Sequence, residues 1–237
     1  METRPTPISY RHLRLKDLNR PEYSHLKLLL YWPVFGLLFF YAERLQSMRD
    51  YHVVHCALDD LIPFSELFLL PYLFWFVFLT GMLVYTFFYD TECFSRMMKF
   101  IIITYTAALL VYFIFPSCQQ LRPKSFERDN ILTRFMAWFY RFDTDTNVCP
   151  SIHVIGSLAV MFAARNTPAF RSRGWKRAFT LTAALISVST VFVKQHSVLD
   201  ILAALPLCAI AYPISFKARA GSRQEKKWTK RPDKTCC

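Results

Sequence analysis

Five residues in the second half of the chain have the types and the order of a phosphoryl-transfer site: Arg122, Ser151, His153, His196 and Asp200. His196 and Asp200 are four apart, a spacing that puts both on one face of a helix. A carboxylate placed there accepts a hydrogen bond from one imidazole nitrogen. That fixes the tautomer and leaves the other nitrogen free as nucleophile or base. Ser151 and His153 stand where an apolar segment opens, and a helix N-terminus at that point presents backbone N–H groups and a favourable dipole to an anion. Arg122 offers a planar cationic fork that suits phosphate. One nucleophilic histidine, one histidine as acid and a phosphate cradle need no metal. No Asp, Glu, His or Cys cluster has the spacing of a Mg²⁺ or Zn²⁺ site, so the sequence implies no cofactor. Taken singly, each piece has an ordinary reading: a helical H-x-x-x-D, a satisfied interior histidine, a helix-ending Arg-Pro turn. The expectation rests on all three elements together, in this order.

The elements that must position these residues are membrane helices. Of 237 residues, 54% are hydrophobic and 17% aromatic, and the formal net charge is +12. In a soluble chain that charge would raise nucleic-acid binding. With so much apolar sequence it is better matched to an anionic membrane surface, which makes a bilayer the expected partner and excludes nucleic acid. The first 25 residues hold no apolar core of the kind a cleaved signal needs. Charges divide the rest into six apolar runs: Leu28 to Ala42, Leu67 to Tyr89, Phe100 to Leu121 with Pro116 ending its helix, Thr146 to Ala164, Ala178 to Val193, and Ile201 to Phe216. A spanning helix needs about 20 residues, and flanking Lys and Arg extend the shorter runs by snorkelling. The fold expected is an all-α integral membrane bundle of about six transmembrane helices. It spans residues 28–216, between a basic N-terminal segment, 1–27, and a basic tail, 217–237.

Most of the 29 Lys and Arg fall in four segments that an even number of spans places on one side: the N-terminus, Arg96 with Lys99, the Arg165–Arg177 connection, and the tail. The positive-inside rule makes that side cytoplasmic and puts both termini there. Arg122, Ser151-Ile152-His153 and His196–Asp200 all fall on the opposite, extracytoplasmic or lumenal side, a result that owes nothing to the motif itself. Within the long connection after Arg122, the spacing of Ile131, Leu132, Phe135, Met136 and Phe139 predicts an amphipathic helix over Asn130 to Arg141. It lies on the membrane surface or packs on its own protein. Asp59-Asp60 caps the segment that follows or binds an amine-bearing headgroup. The seven cysteines have no zinc or redox spacing, and the terminal Cys236-Cys237 pair is a lipidation candidate.

Arg122-Pro123, Pro150-Ser151-Ile152-His153, and Ser189 with His196-Ser197-Val198-Leu199-Asp200 resemble the three-part signature of the type 2 phosphatidate phosphatase superfamily. The resemblance covers roughly Ile114 to Asp200 and the six-span layout. It implies a phosphohistidine mechanism with His196 as nucleophile, Asp200 orienting it, His153 protonating the leaving group, and Arg122 and Ser151 holding phosphate. The family pattern is K-x-x-x-x-x-x-R-P, P-S-G-H and S-R-x-x-x-x-x-H-x-x-x-D, and this chain departs from it in three places. Phe115 stands where the lysine is expected, Ile152 where the glycine is, and Thr190 where the arginine is. Two phosphate-binding cations are thereby lost, and Lys194 is the candidate replacement for one. The sphingomyelin synthase and inositol phosphorylceramide synthase branch is similar in its reduced cation set. Three functions follow as expectations. The first is a membrane phosphatase acting on a lipid phosphate. The second is a phosphotransferase that passes a phospho-headgroup to an alcohol. The third is a non-catalytic membrane scaffold. No residue selects the lipid, and the oligomeric state is not legible.

Overall fold

A computed structural model describes residues 7, 10, 14–44 and 50–217. Arg4, Arg11, the tail beyond Lys217 and the Cys236-Cys237 pair lie outside the described residues. Among those described, the fold is all-α, with eight α-helices and one pair of two-residue strands. The helices are α1 (Tyr31–Arg44), α2 (Ala57–Leu61), α3 (Leu69–Tyr89), α4 (Thr91–Ile114), α5 (Ile131–Phe142), α6 (Ile152–Asn166), α7 (Arg173–Phe192) and α8 (Val198–Tyr212). The strands β1 (His52–Val53) and β2 (Ser117–Cys118) pair in parallel and tie two connections together.

Four helical stretches are long and apolar enough to cross a membrane: Tyr23–Arg44, Glu66–Tyr89, Thr91–Ile114 and Val198–Lys217. At 1.5 Å per residue, the 24 residues of α4 extend about 36 Å, more than a hydrocarbon core of about 30 Å. Their outward surfaces are apolar. Leu30, Val34, Leu37 and Phe40 stand exposed before and along α1, as do Leu70, Phe74, Phe76 and Val77 on α3, and Leu202, Leu205 and Ile210 on α8. Apolar surface on that scale belongs against lipid rather than water.

Several boundaries differ from the apolar runs. The first span starts earlier, because a 3₁₀ stretch from Pro21 to Leu30 leads directly into α1. The third starts at Thr91 rather than Phe100. Asp90 caps it by accepting from the Cys93 N–H at 3.0 Å, and Arg96 pairs with Glu92 one turn back. Charged residues thus belong to the helix once they are capped or paired. The same helix ends at Ile114, two residues before Pro116, so Arg122 sits out in the following connection.

Helix α6, the shorter apolar helix, is the centre of the bundle and packs on α3, α4, α7 and α8. Its small residues permit that position. A Cβ on Gly156 would come within 2.8 Å of the Tyr105 hydroxyl and 2.9 Å of the Trp75 ring nitrogen, so only glycine fits. Residues from the ends of α1 and α4, the starts of α3 and α6, and the α7–α8 turn line one common cavity. The six long helices therefore alternate in direction, and all the sequence motifs arrive at one end.

Candidate active site

The turn from α7 to α8 sets the central histidine. Helix α7 closes at Phe192, and Lys194 takes a left-handed φ of 54°, a conformation that non-glycine residues adopt only when surrounding contacts hold it. The N–H groups of Gln195 and His196 then both donate to the Thr190 carbonyl, at 3.0 and 3.2 Å. Ser197 caps α8: its Oγ accepts from Leu199 N, while Asp200 Oδ2 accepts from Ser197 N at 2.9 Å. The same Oδ2 meets His196 Nδ1 at 3.0 Å. The spacing argument placed His196 and Asp200 on one helix face. The contact is present, but His196 lies ahead of the helix, and the capping box brings Asp200 back to it.

His153, the second residue of α6, brings its Nδ1 to 3.4 Å from His196 Nε2. Both rings are buried, and His153 stacks on Tyr72 at 4.6 Å between ring centres, with Trp75 tilted against it at 4.4 Å. The start of α6 is fixed to its surroundings. Ser151 N donates to the Asp200 carbonyl at 3.1 Å and the Tyr112 hydroxyl donates to the Pro150 carbonyl at 2.7 Å. Ser151 is the N-cap of α6, its Oγ accepting from Val154 N at 3.5 Å, and it is fully buried. His196, Asp200, His153 and Ser151 are thus brought together.

The two cations are not part of that cluster. Arg122 donates to the carbonyls of Tyr140 (3.1 Å) and Asp143 (2.8 Å) and to Gln195 Oε1, and its guanidinium lies 4.5 Å over the Tyr140 ring. Lys194 Nζ donates to the carbonyls of Asp59 and Ile62, on the α2 side. Burial pushes the Lys194 ammonium below its usual range, while Asp59 and Asp60 act against that shift. Neither side chain lines the histidine cavity.

That cavity has a volume of about 50 Å³, room for a few waters at roughly 10–15 Å³ each. Its polar wall includes His153, His196, Gln195, Thr144, Thr146, Asn147 and two carboxylates, Glu43 and Asp143; among the described residues its lining contains no Lys or Arg. Asp143 Oδ2 accepts from the Tyr72 hydroxyl at 3.0 Å and from Gln195 Nε2 at 2.8 Å. Burial raises the Asp143 carboxyl above the usual range, against the lowering effects of Tyr72, Arg122 and His196. The Thr144 hydroxyl bonds Glu43. Sequence reasoning missed Asp143, Glu43 and Gln195. Only Gln195 carried a signal, its place between Lys194 and His196.

Asp59 is the other residue whose role the structure reveals. It is buried, and its carboxylate accepts from the Ser197 hydroxyl (2.6 Å), Val198 N (2.8 Å) and Cys56 N (2.9 Å). Burial acts to raise its pKa, but these hydrogen bonds outweigh that and hold it below the usual carboxylate range. Asp59 does cap, but not the segment that follows it, as the sequence suggested. Asp59 closes its own short helix, and it reaches across to the N-terminus of α8. Asp60 pairs instead with His55 at 2.8 Å. Among the described residues, no group of three or more His, Cys, Asp or Glu side chains is placed to hold a metal ion.

The arrangement presents a tautomer-locked imidazole, a second imidazole facing it and an uncharged-to-acidic wall. Comparison of the chain with protein-family models, curated proteins and solved structures finds no match.

Proposed function

We propose that the chain is a multi-pass membrane enzyme that hydrolyses a lipid phosphate through a phosphohistidine on His196. The observation that carries this reading is the His196 ring, bonded through Nδ1 to buried Asp200 while Nε2 faces His153 in a cavity at a membrane-helix end. With the proton on Nδ1, the Nε2 lone pair attacks phosphorus. The ester oxygen leaves with the electron pair of the broken P–O bond and takes a proton from His153. Water then attacks the phosphohistidine and gives a proton back to His153, releasing phosphate and the original His196. The phosphate itself supplies the negative charge that a protonated His153 takes as partner. The 3.4 Å gap between the rings cannot hold a phosphorus atom, so the substrate must part them.

A second reading has its own support. A wall with Glu43 and Asp143 and, among the described residues, without Lys or Arg offers no cation to a phosphate, which disfavours a monoester dianion more than a phosphodiester monoanion. That favours transfer of a phospho-headgroup from a diester lipid to an alcohol, by the same first step with an alcohol in place of water. Purified protein should be given phosphatidate, a prenyl phosphate and a phosphodiester lipid with an alcohol acceptor, in the presence of EDTA. Free phosphate supports the first reading, and transferred headgroup with no free phosphate replaces it with the second. Turnover that vanishes in EDTA and returns with Mg²⁺ removes both.

The same proposal has α6 and α7 crossing alongside the four apolar spans, with both termini cytoplasmic and the site on the other side. Arg96, Lys99, Arg165, Arg173, Lys176 and Arg177 lie toward the end of the bundle away from the histidines, which supports this orientation. A reporter fused after Cys237 should read cytoplasmic; an external reading reverses it.

A further inference from the structure

Helix α5 has three faces rather than two. Thr133, Met136 and Phe139 are buried, the last two against Leu69, Tyr72 and Val193. Arg134 and Arg141 are exposed on a second face. The third is apolar and uncovered: Ile131 is 82% exposed, Trp138 57% and Phe142 66%, and Phe135 is exposed with them. At 3.6 residues per turn these four side chains fall within an arc of about 60°. Packing therefore accounts for one apolar face and leaves a second without a partner among the described residues.

Both ends of α5 are tied to the ends of membrane-crossing stretches. At its start, the cap residue Asn130 donates to Glu66 Oε1 at 3.1 Å, and Glu66 is the first residue of the second crossing stretch. At its end, the Phe142 carbonyl accepts from Arg44 Nη2 at 2.7 Å, and Arg44 is the last residue of the first. Those two ends lie at the same membrane face, so the ties hold α5 at the level where hydrocarbon gives way to headgroups. An exposed Trp with apolar neighbours, bordered by arginines, is the pattern that settles at that level. Directly after Phe142 come Asp143 and Thr144, which line the histidine cavity.

We infer that α5 inserts Ile131, Phe135, Trp138 and Phe142 into the bilayer leaflet on the side of the histidine cavity, with the arginines at the headgroups, and so sets the cavity's Asp143–Thr144 wall against the lipid. The occupant of the stripe is this leaflet, not a second protein. The consequence for the proposed catalysis is that the cavity is built to be fed from the leaflet rather than from water, and that part rests on the function proposed above.

The protein should be reconstituted in phosphatidylcholine vesicles, with and without acyl chains brominated near the headgroup, and its tryptophan emission compared with that of Trp138→Phe. The difference spectrum isolates Trp138 among the five tryptophans. It should lose intensity in brominated vesicles and be shielded from aqueous iodide. Quenching by iodide alone, or by neither because a second copy covers the stripe, overturns the inference. No turnover is involved, so this result stands or falls apart from the catalytic reading. An Ile131→Ser/Trp138→Ser variant should then lose activity on a lipid phosphate in vesicles while keeping it on a soluble short-chain phosphate. Equal loss on both removes the feeding role but not the insertion.

Discussion

Around the histidine cavity, the nucleophile side and the cation side are built from different kinds of contact. His196, Asp200 and His153 meet through a four-residue spacing, a capping box and a helix start. Arg122 and Lys194, expected beside them, spend their donors on backbone carbonyls of Tyr140, Asp143, Asp59 and Ile62 and on the Gln195 side chain. The histidine side turns its rings to the cavity, whereas the cations brace the loops that hold the histidines. A site read from residue types alone would have counted both cations as phosphate ligands. Their bonding ties them to the loops around the cavity instead, and it is this difference that the following changes break or sharpen.

The largest expected effect after loss of the nucleophile is at His153. A general acid contributes about 10²–10⁴ in rate, so under the proposed role His153→Ala should lose that much on an alkyl lipid phosphate. An aryl phosphate, whose oxygen leaves without protonation, should recover much of it. Equal losses on the two substrates would mean that His153 does not act as the acid.

Arg122→Ala comes next. Its charged hydrogen bonds to Asp143 and Gln195 are worth about 1.5–3 kcal/mol each at most, so the expected change is a lower unfolding midpoint and a loosened Asp143–Gln195 wall. A rate loss of about a hundredfold or more with unchanged stability would show instead that Arg122 swings onto the phosphate in the complex.

Asp59→Asn should cost about 1–3 kcal/mol by weakening bonds to Ser197 and Val198, and it should lower kcat more than it raises KM, because His196 is displaced rather than the substrate. Since those bonds hold the Asp59 carboxyl below its ordinary value of 3.8, the stabilisation is complete above that value. It is lost as pH falls through the lower folded one. The stability gap between wild type and Asp59→Asn should therefore close below about pH 4. A gap that widens in acid would assign it to another group.

Lys194→Met should have the smallest effect on chemistry. The two carbonyl bonds go, stability falls, and KM for phosphate stays. A raised KM confined to phosphate-bearing substrates would restore Lys194 to the phosphate site.

How much of this was legible follows from the range of each interaction. The all-α bundle was, because apolar runs are read directly against bilayer thickness. Helix α5 was, because its periodicity is local, although the sequence could not separate its packed face from its exposed one. The His196–Asp200 contact was legible from spacing, though for a different local reason than a shared helix face. Asp59 was visible only as a cap, since its partners Ser197 and Val198 lie 138 and 139 residues away. Asp143 and Glu43 carried no signal at all. They become part of the cavity only when the end of α1 and the end of α5 are folded beside α6. The direction in which Arg122 and Lys194 point depends on loops with no repeating pattern, and a motif position says nothing about it.

The central claim is that His196 Nε2 takes the phosphoryl group. The direct measurement is a rapid alkaline quench of the protein with a phosphate-labelled lipid substrate, followed by mass analysis of the peptide that carries His196. The expected result is a phosphohistidine at His196 that forms within one turnover, is destroyed by acid and is absent from His196→Ala, which should show no turnover. Steady turnover by the wild type with no phosphohistidine at any quench time, together with turnover by His196→Ala, would contradict it.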